Sequence, residues 1–269
     1  MFSGKFRATS NELKTNARVK YLPDDEGNYI AKSMTVFDRP VFMPDGWELS
    51  DLSDSKKTKK PKASQCDDEE NRRKSYARAR NNLFDLLLCT PSLDCFVTLT
   101  FNPEEVNRQD YKEIVKRISV WLDNRVRRHG LQYVLVPEFH KDGESVHFHG
   151  LMNFNALTVV RALNQKRNSK SFGQELCDDK GRPIYNIKDF PFGHTTVIPI
   201  EGDNGREACA KYCYKYIVKS GGQKVGGRYY LSGGKLGRPR YEYINFDYDG
   251  IEAKEIEIKR FMKMKRVNL

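Results

Sequence analysis

From Cys95 to Phe101 the chain reads CFVTLTF, with Val97, Leu99 and Phe101 on one side and Phe96, Thr98 and Thr100 on the other. That two-residue period predicts a strand with two distinct faces. Asn102-Pro103 ends it. The spacing then changes to that of a helix, from about Asp110 to His129: Ile114, Val115, Ile118, Leu122 and Val126 form one apolar stripe. Lys112, Lys116, Arg117, Arg125, Arg127 and Arg128 lie largely around its other faces, and Gly130 closes it. An apolar strand from Leu131 to Pro137 follows and leads to Glu138. The turn His140-Lys141-Asp142-Gly143-Glu144 reverses the chain into a second strand around Val146 to Met152. Beyond lie a short helix near Ala156 to Lys166, a polar insertion and a strand over residues 193–200. A helix then starts near Asn204-Gly205-Arg206-Glu207-Ala208 and stops at Gly221-Gly222. The order β-α-β-β-α-β-α predicts an α+β fold, an antiparallel sheet with helices packed against it.

The flanks are patterned more weakly. Residues 1 to about 50 hold short strand-like pieces around the turn Asp24-Asp25-Glu26-Gly27. Lys56, Lys57, Lys59, Lys60 and Lys62 precede Asp67, Asp68, Glu69 and Glu70, a charge segregation that reads as a solvated linker. A helix is expected over residues 71–88, with Tyr76, Leu83 and Leu87 as its apolar stripe. Arg72, Arg73, Lys74, Arg78 and Arg80 load its first half, where positive charge opposes the macrodipole unless a phosphate offsets it. Three parts follow: an extension and linker over 1–70, a core over 71–220 and a basic tail over 221–269. The tail interleaves Lys224, Arg228, Lys235, Arg238 and Arg240 with Tyr229, Tyr230 and Tyr241. Such a pattern suits backbone contact and base stacking on single-stranded DNA, or an ordinary charged hairpin loop.

Charge narrows the partner. The 269 residues hold 47 Lys+Arg against 36 Asp+Glu, a formal charge of +11. This balance favours polyanions through counterion release. No apolar run is long enough for a spanning helix, so no membrane partner is expected. Met1-Phe2-Ser3-Gly4-Lys5-Phe6 does not open a signal peptide. Cys66, Cys89, Cys95, Cys177, Cys209 and Cys213 lack Cys-x-x-Cys spacing and read as reduced thiols of a cytoplasmic protein. Cys209 and Cys213 share a helix face, yet no second pair completes a zinc site.

Two motifs carry candidate chemistry. His147-Phe148-His149 puts two imidazoles on one face of a strand while Val146, Phe148 and Met152 face the other, and Glu138 arrives from the adjacent strand. Two imidazoles and a carboxylate with open coordination positions suit a catalytic divalent cation; the alternative is a pair of strand histidines that bind nothing. His140 and His194 stand nearby and are read as hydrogen-bonding residues. In Lys211-Tyr212-Cys213-Tyr214-Lys215-Tyr216-Ile217-Val218-Lys219, Tyr212 and Tyr216 share a helix face and Tyr214 points away. Lys215 and Lys219 each follow one of those tyrosines by three residues, where an ammonium favours the phenolate. The alternative is an amphipathic helix with aromatic packing on one side.

Together these motifs resemble the HUH endonucleases, specifically rolling-circle replication initiators of small single-stranded DNA phages and plasmids. Cys95–Phe101 is similar to the first family motif. His147-Phe148-His149 resembles the second, with Glu138 where a third metal ligand often stands, and Tyr212-x-x-Lys215-Tyr216-x-x-Lys219 resembles the two-tyrosine form of the third. The resemblance covers about residues 90–220. It implies an RRM-like core and Mg²⁺ or Mn²⁺ held by Glu138, His147 and His149. It further implies nicking of single-stranded DNA at a replication origin through a 5′-phosphotyrosine at Tyr212 or Tyr216. A host polymerase in a bacterial cytoplasm would then extend the free 3′ end. No Gly-x-x-x-x-Gly-Lys-Ser/Thr loop occurs, so unwinding is expected to fall to a separate host helicase. A transposase or relaxase of the same superfamily, a metallohydrolase, and a non-enzymatic basic DNA-binding protein remain the other readings.

Overall fold

The computed structural model describes residues 6–7, 12–24, 26–44, 65–140, 142–202, 205–244, 255–259 and 262–268. In chain order the elements begin β1 (Phe6–Arg7), β2 (Glu12–Pro23), β3 (Tyr29–Pro44), α1 (Gln65–Cys89), β4 (Cys95–Phe101) and α2 (Tyr111–His129). Then come β5 (Tyr133–Phe139), β6 (Val146–Met152), β7 (Val159–Arg161), β8 (Tyr185–Ile187), β9 (Gly193–Pro199) and α3 (Gly205–Lys219). The last strands are β10 (Leu231–Gly233), β11 (Arg240–Ile244), β12 (Glu255–Lys259) and β13 (Met262–Asn268). They fall into two compact units, Met1–Cys66 with Pro239–Leu269, and Asp67–Arg238.

In the first unit the strand-like pieces expected near the N-terminus are long strands, β2 and β3, joined at the Asp24 turn. The Asp24 carboxylate accepts the Glu26 and Asn28 backbone N–H groups at 3.0 and 2.8 Å, which fixes the reversal. The sheet runs β1-β2-β3-β13-β12, and β11 also pairs with β2. Ala17, Val19 and Met34 are its buried apolar residues. Lys56, Lys57, Lys59, Lys60 and Lys62 lie outside the described residues.

The second unit is an α+β sandwich around a seven-stranded antiparallel sheet ordered β10-β5-β6-β4-β9-β8-β7. Alternation along the strands gives it two apolar faces. Val97, Leu99, Leu135 and Phe148 pack on Ile114, Ile118 and Leu122 of α2. Val134, Val136 and Leu151 face the other way, onto Leu83 and Leu87 of α1 and Ala210, Cys213 and Ile217 of α3. Full burial of each such aliphatic side chain stabilises the fold by about 1.5–3 kcal/mol. Helix α2 starts where Asp110 accepts the Glu113 backbone N–H. It ends at Gly130, whose φ of 66° an L side chain rarely adopts.

Three expectations need correction. Helix α1 begins at Gln65 rather than near residue 71, so Asp67 to Glu70 occupy its first turns and the basic residues follow. Acidic side chains there complement the macrodipole, and Glu69–Arg73 and Glu70–Lys74 pair one turn apart at 2.9 and 2.6 Å. No phosphate is required to offset charge at this end. In place of the helix expected over residues 156–166, a single 3-10 turn at Phe154–Ala156 is followed by strand β7. β-Branched Val159 and Val160 pair with Ile187 and Asn186 of β8, and the Asn164 side chain caps the Lys166 backbone N–H, favouring a turn over a helix. Finally, the tail reading over 221–269 divides: β10 joins the sheet beside β5, while β11, β12 and β13 belong to the first unit.

Candidate active site

Register builds the site. In β5 and β6, Glu138 lies opposite His147 and Val136 opposite His149. On the other side of β6, Thr98 of β4 lies opposite His149. Glu138 therefore sits within a strand, and all three side chains project from the face that α3 covers. The connecting turn is held by Asp142, whose carboxylate accepts the Glu144 and Ser145 backbone N–H groups at 2.9 Å each.

Both imidazoles converge on one oxygen. His147 Nε2 and His149 Nε2 each lie 2.9 Å from Glu138 Oε2, and Lys219 Nζ donates to Oε1 at 2.8 Å. Each Nδ1 is held from behind: that of His149 by Thr98 Oγ1, and that of His147 by His140 Nε2, both at 2.9 Å. A hydroxyl and an imidazole can each accept an Nδ1–H bond, which frees Nε2 to ligate a metal. Burial holds the His149 imidazolium down to about 4, with the His147 charge adding to the effect, and burial likewise lowers His147. For Glu138 burial acts upward, but hydrogen bonds from Lys219 and His147 and the imidazole charges bring the net shift below the usual carboxylate range. Two neutral imidazoles and one carboxylate whose donor atoms lie within 4.8 Å of one another can hold a divalent cation.

The tyrosine helix meets this cluster. The Tyr216 ring stacks on His149 at 4.9 Å between centroids and 22° between planes. The Tyr212 ring stands edge-on to Tyr216 at 4.7 Å, and the two hydroxyls are hydrogen-bonded. Phe96 of β4 completes the aromatic floor, 5.4 Å from Tyr212 and 5.9 Å from His149. Tyr212 is 43% exposed. Burial, the Tyr212 hydrogen bond and the charge of Glu138 all push the Tyr216 phenol above its ordinary range. Tyr214 turns away to Phe84 and Arg80 of α1. Lys219 also lies 5.8 Å from the Tyr216 ring centre, whereas Lys215 is exposed.

Other expected site residues are more dispersed. Arg72, Arg73 and Arg78 are exposed on α1, and Arg73 pairs with Glu69. Lys224, Arg228, Lys235 and Arg238 are exposed after α3, with Lys224 over the Tyr229 ring at 4.7 Å. Arg240 stacks instead on Tyr29 of the first unit at 3.8 Å. His194 is exposed on β9. Cys89, Cys95, Cys177, Cys209 and Cys213 are thiols rather than disulfides, and burial pushes Cys213 up to about 12. Sequence reasoning missed Thr98, whose only signal is a polar position on the strand face shared with Phe96.

An α+β sandwich that gathers a Glu-His-His cluster and two tyrosines on one sheet face defines a class of metal-capable, tyrosine-bearing domain. Residues 94–221, just under half of the chain, match the family model described as replication-associated protein ORF2, and this match supports a Rep-type replication initiator. No curated protein and no solved structure matches the chain. Among the described residues no helix is long and apolar enough to cross a membrane.

Proposed function

We infer that the protein is a nicking and joining endonuclease of the HUH type that initiates rolling-circle replication at a single-stranded DNA origin. The observation that carries this reading is the stacking of Tyr216 on His149 with Tyr212 bonded to it, which brings nucleophile candidates and ligand candidates onto one surface. Glu138, His147 and His149 would hold Mg²⁺ or Mn²⁺, which when bound supplies Lewis-acid polarisation of the scissile phosphate. Thr98 and His140 orient the two imidazoles.

Tyr212 Oη forms a bond to phosphorus, the bond from phosphorus to the 3′ oxygen breaks, and the phenolic proton ends on the released 3′ hydroxyl. The 5′-phosphotyrosine conserves the phosphodiester energy for rejoining, and Tyr216 serves the second transfer. Lys219 tethers Glu138 beside Tyr216, and Lys215 supplies positive charge to the phosphate. The exposed Arg72, Arg78, Lys224, Arg228, Lys235 and Arg238 would bind backbone phosphates. A host polymerase extends the 3′ end and a separate helicase unwinds the duplex.

The test is an oligonucleotide library labelled on the 3′ side of the cut, incubated with Mn²⁺ and analysed by mass spectrometry of the trapped peptide. An adduct mapping to Tyr212 or Tyr216 is expected. Metal-dependent cleavage without an adduct would point to a metallohydrolase, and binding without cleavage to a non-enzymatic DNA-binding protein.

A further inference from the structure

The insertion between β7 and β8 carries a surface that the nicking chemistry does not use. From Leu163 to Gln174 the chain holds Lys166, Arg167 and Lys170 and no acidic residue. Asn164 organises this loop: its amide donates to Ser171 Oγ at 2.7 Å while its carbonyl oxygen accepts the Lys166 backbone N–H at 3.0 Å. Backbone bonds Asn164 N–H to Gln174 O and Gly173 N–H to Asn164 O close it at 2.9 and 2.8 Å. A loop stapled by its own polar groups has no need of an apolar anchor. Yet it presents Phe172, 56% exposed, among those three cations. The acidic residues that follow are occupied, Glu175 with Arg161 at 2.7 Å and Asp178 with Arg182 at 2.6 Å.

The loop belongs to the side of the sheet that leads into the tyrosine helix. Strand β8 neighbours β9, which runs into α3, and the charges of Arg182 and Lys180 act on the Cys209 thiol one turn before Tyr212. An exposed aromatic in a field of cations fits a nucleic-acid base on a phosphate chain, because the ring stacks while the cations neutralise the backbone. A protein partner would be expected to meet an apolar patch, not a lone ring among like charges.

We propose that the 163–174 loop is a single-stranded DNA contact, with Phe172 stacking on a base and Lys166, Arg167 and Lys170 holding the adjoining phosphates. This rests on the DNA-nicking reading for its placement beside the strand being cut, but not for its chemistry. The test measures binding of the full chain to oligothymidylates of about 30 and about 8 nucleotides by fluorescence anisotropy over a range of salt. Phe172→Ala should weaken binding of the longer strand about tenfold, and Phe172→Tyr should restore it. Replacing the three cations by Gln should make the log-log salt slope shallower by about 2.

Unchanged binding of the longer strand by both Phe172→Ala and the triple variant overturns the proposal. So does a loss confined to duplex DNA of the same length. Adduct formation by the parent chain is scored separately. Sensitivity to Phe172 without any adduct leaves the loop contact standing and removes the nuclease reading. An adduct with binding insensitive to Phe172 does the reverse.

Discussion

Tyr212 and Tyr216 occupy the same helix face but different electrostatic surroundings. Tyr216 is packed on His149 and close to the negative Glu138, so its phenolate is disfavoured, while Tyr212 stands 43% exposed above it. Tyr212 is therefore the expected first nucleophile. Tyr212→Phe should slow formation of the first adduct by more than about 100-fold, whereas Tyr216→Phe should leave it nearly intact and block the second transfer. Tyr214→Phe should cut normally, since that ring packs against Phe84 and Arg80. A labelled peptide mapping to Tyr214 would overturn this ranking. The histidines make a second prediction. His149 has a folded value of about 4 against an ordinary 6.5, so between those limits the unfolded chain binds more protons than the native one. Stability of the metal-free protein should fall as pH drops across that window, and the lowered Glu138 extends the loss further into acid. Urea unfolding in EDTA at pH 7 and pH 5 reads it directly: the midpoint should drop for the parent, and less for His149→Gln.

The site's precision at the level of elements comes from the registration of β4, β5 and β6, and one glycine makes that close pairing possible. A Cβ on Gly150 would run into the Val134 carbonyl and lie 2.8 Å from Leu135 Cα, both backbone atoms of β5. Gly150→Ala should cost at least about 2 kcal/mol in chemical denaturation, because only a shift of β5 against β6 relieves the clash. The same shift would move Glu138 away from His147, so divalent-ion affinity should fall as well; a variant with parental stability and affinity would refute the argument. Much of this was legible beforehand. Alternation in CFVTLTF and VHFHGLM, and the helical stripe from Ile114 to Leu122, declare faces that tertiary packing then respects. The start of α1 was not, because Asp67 to Glu70 read equally as a solvated linker until their partners one turn on, Arg73 and Lys74, are placed. Strand β7 was hidden because Val159 and Val160 need the distant β8 to pair with, a contact that local periodicity does not encode.

Across the whole molecule, sequence order and spatial order part company. Strand β11 pairs with β2, and β13 with β3, more than 200 positions away, so a linear division of the chain could not anticipate the first unit. The Glu138, His147 and His149 cluster was legible because one hairpin supplies it; its meeting with α3 depends on the intervening β9 and was supplied only by resemblance. Net charge acts at this largest scale too. The excess of 47 basic over 36 acidic residues is spread along the chain, while the imidazole cluster is local and neutral near pH 7. Affinity and chemistry should therefore separate. The His147→Ala/His149→Ala double variant should bind single-stranded DNA with the parental log-log salt slope, about −0.7 per phosphate contact, because no cation has been removed. It should at the same time lose nicking and the stabilisation that Mn²⁺ confers on the parent in thermal unfolding. Loss of binding together with nicking would mean that the cluster holds the DNA rather than acts on it. Retention of Mn²⁺-dependent nicking would remove these residues from the chemistry altogether.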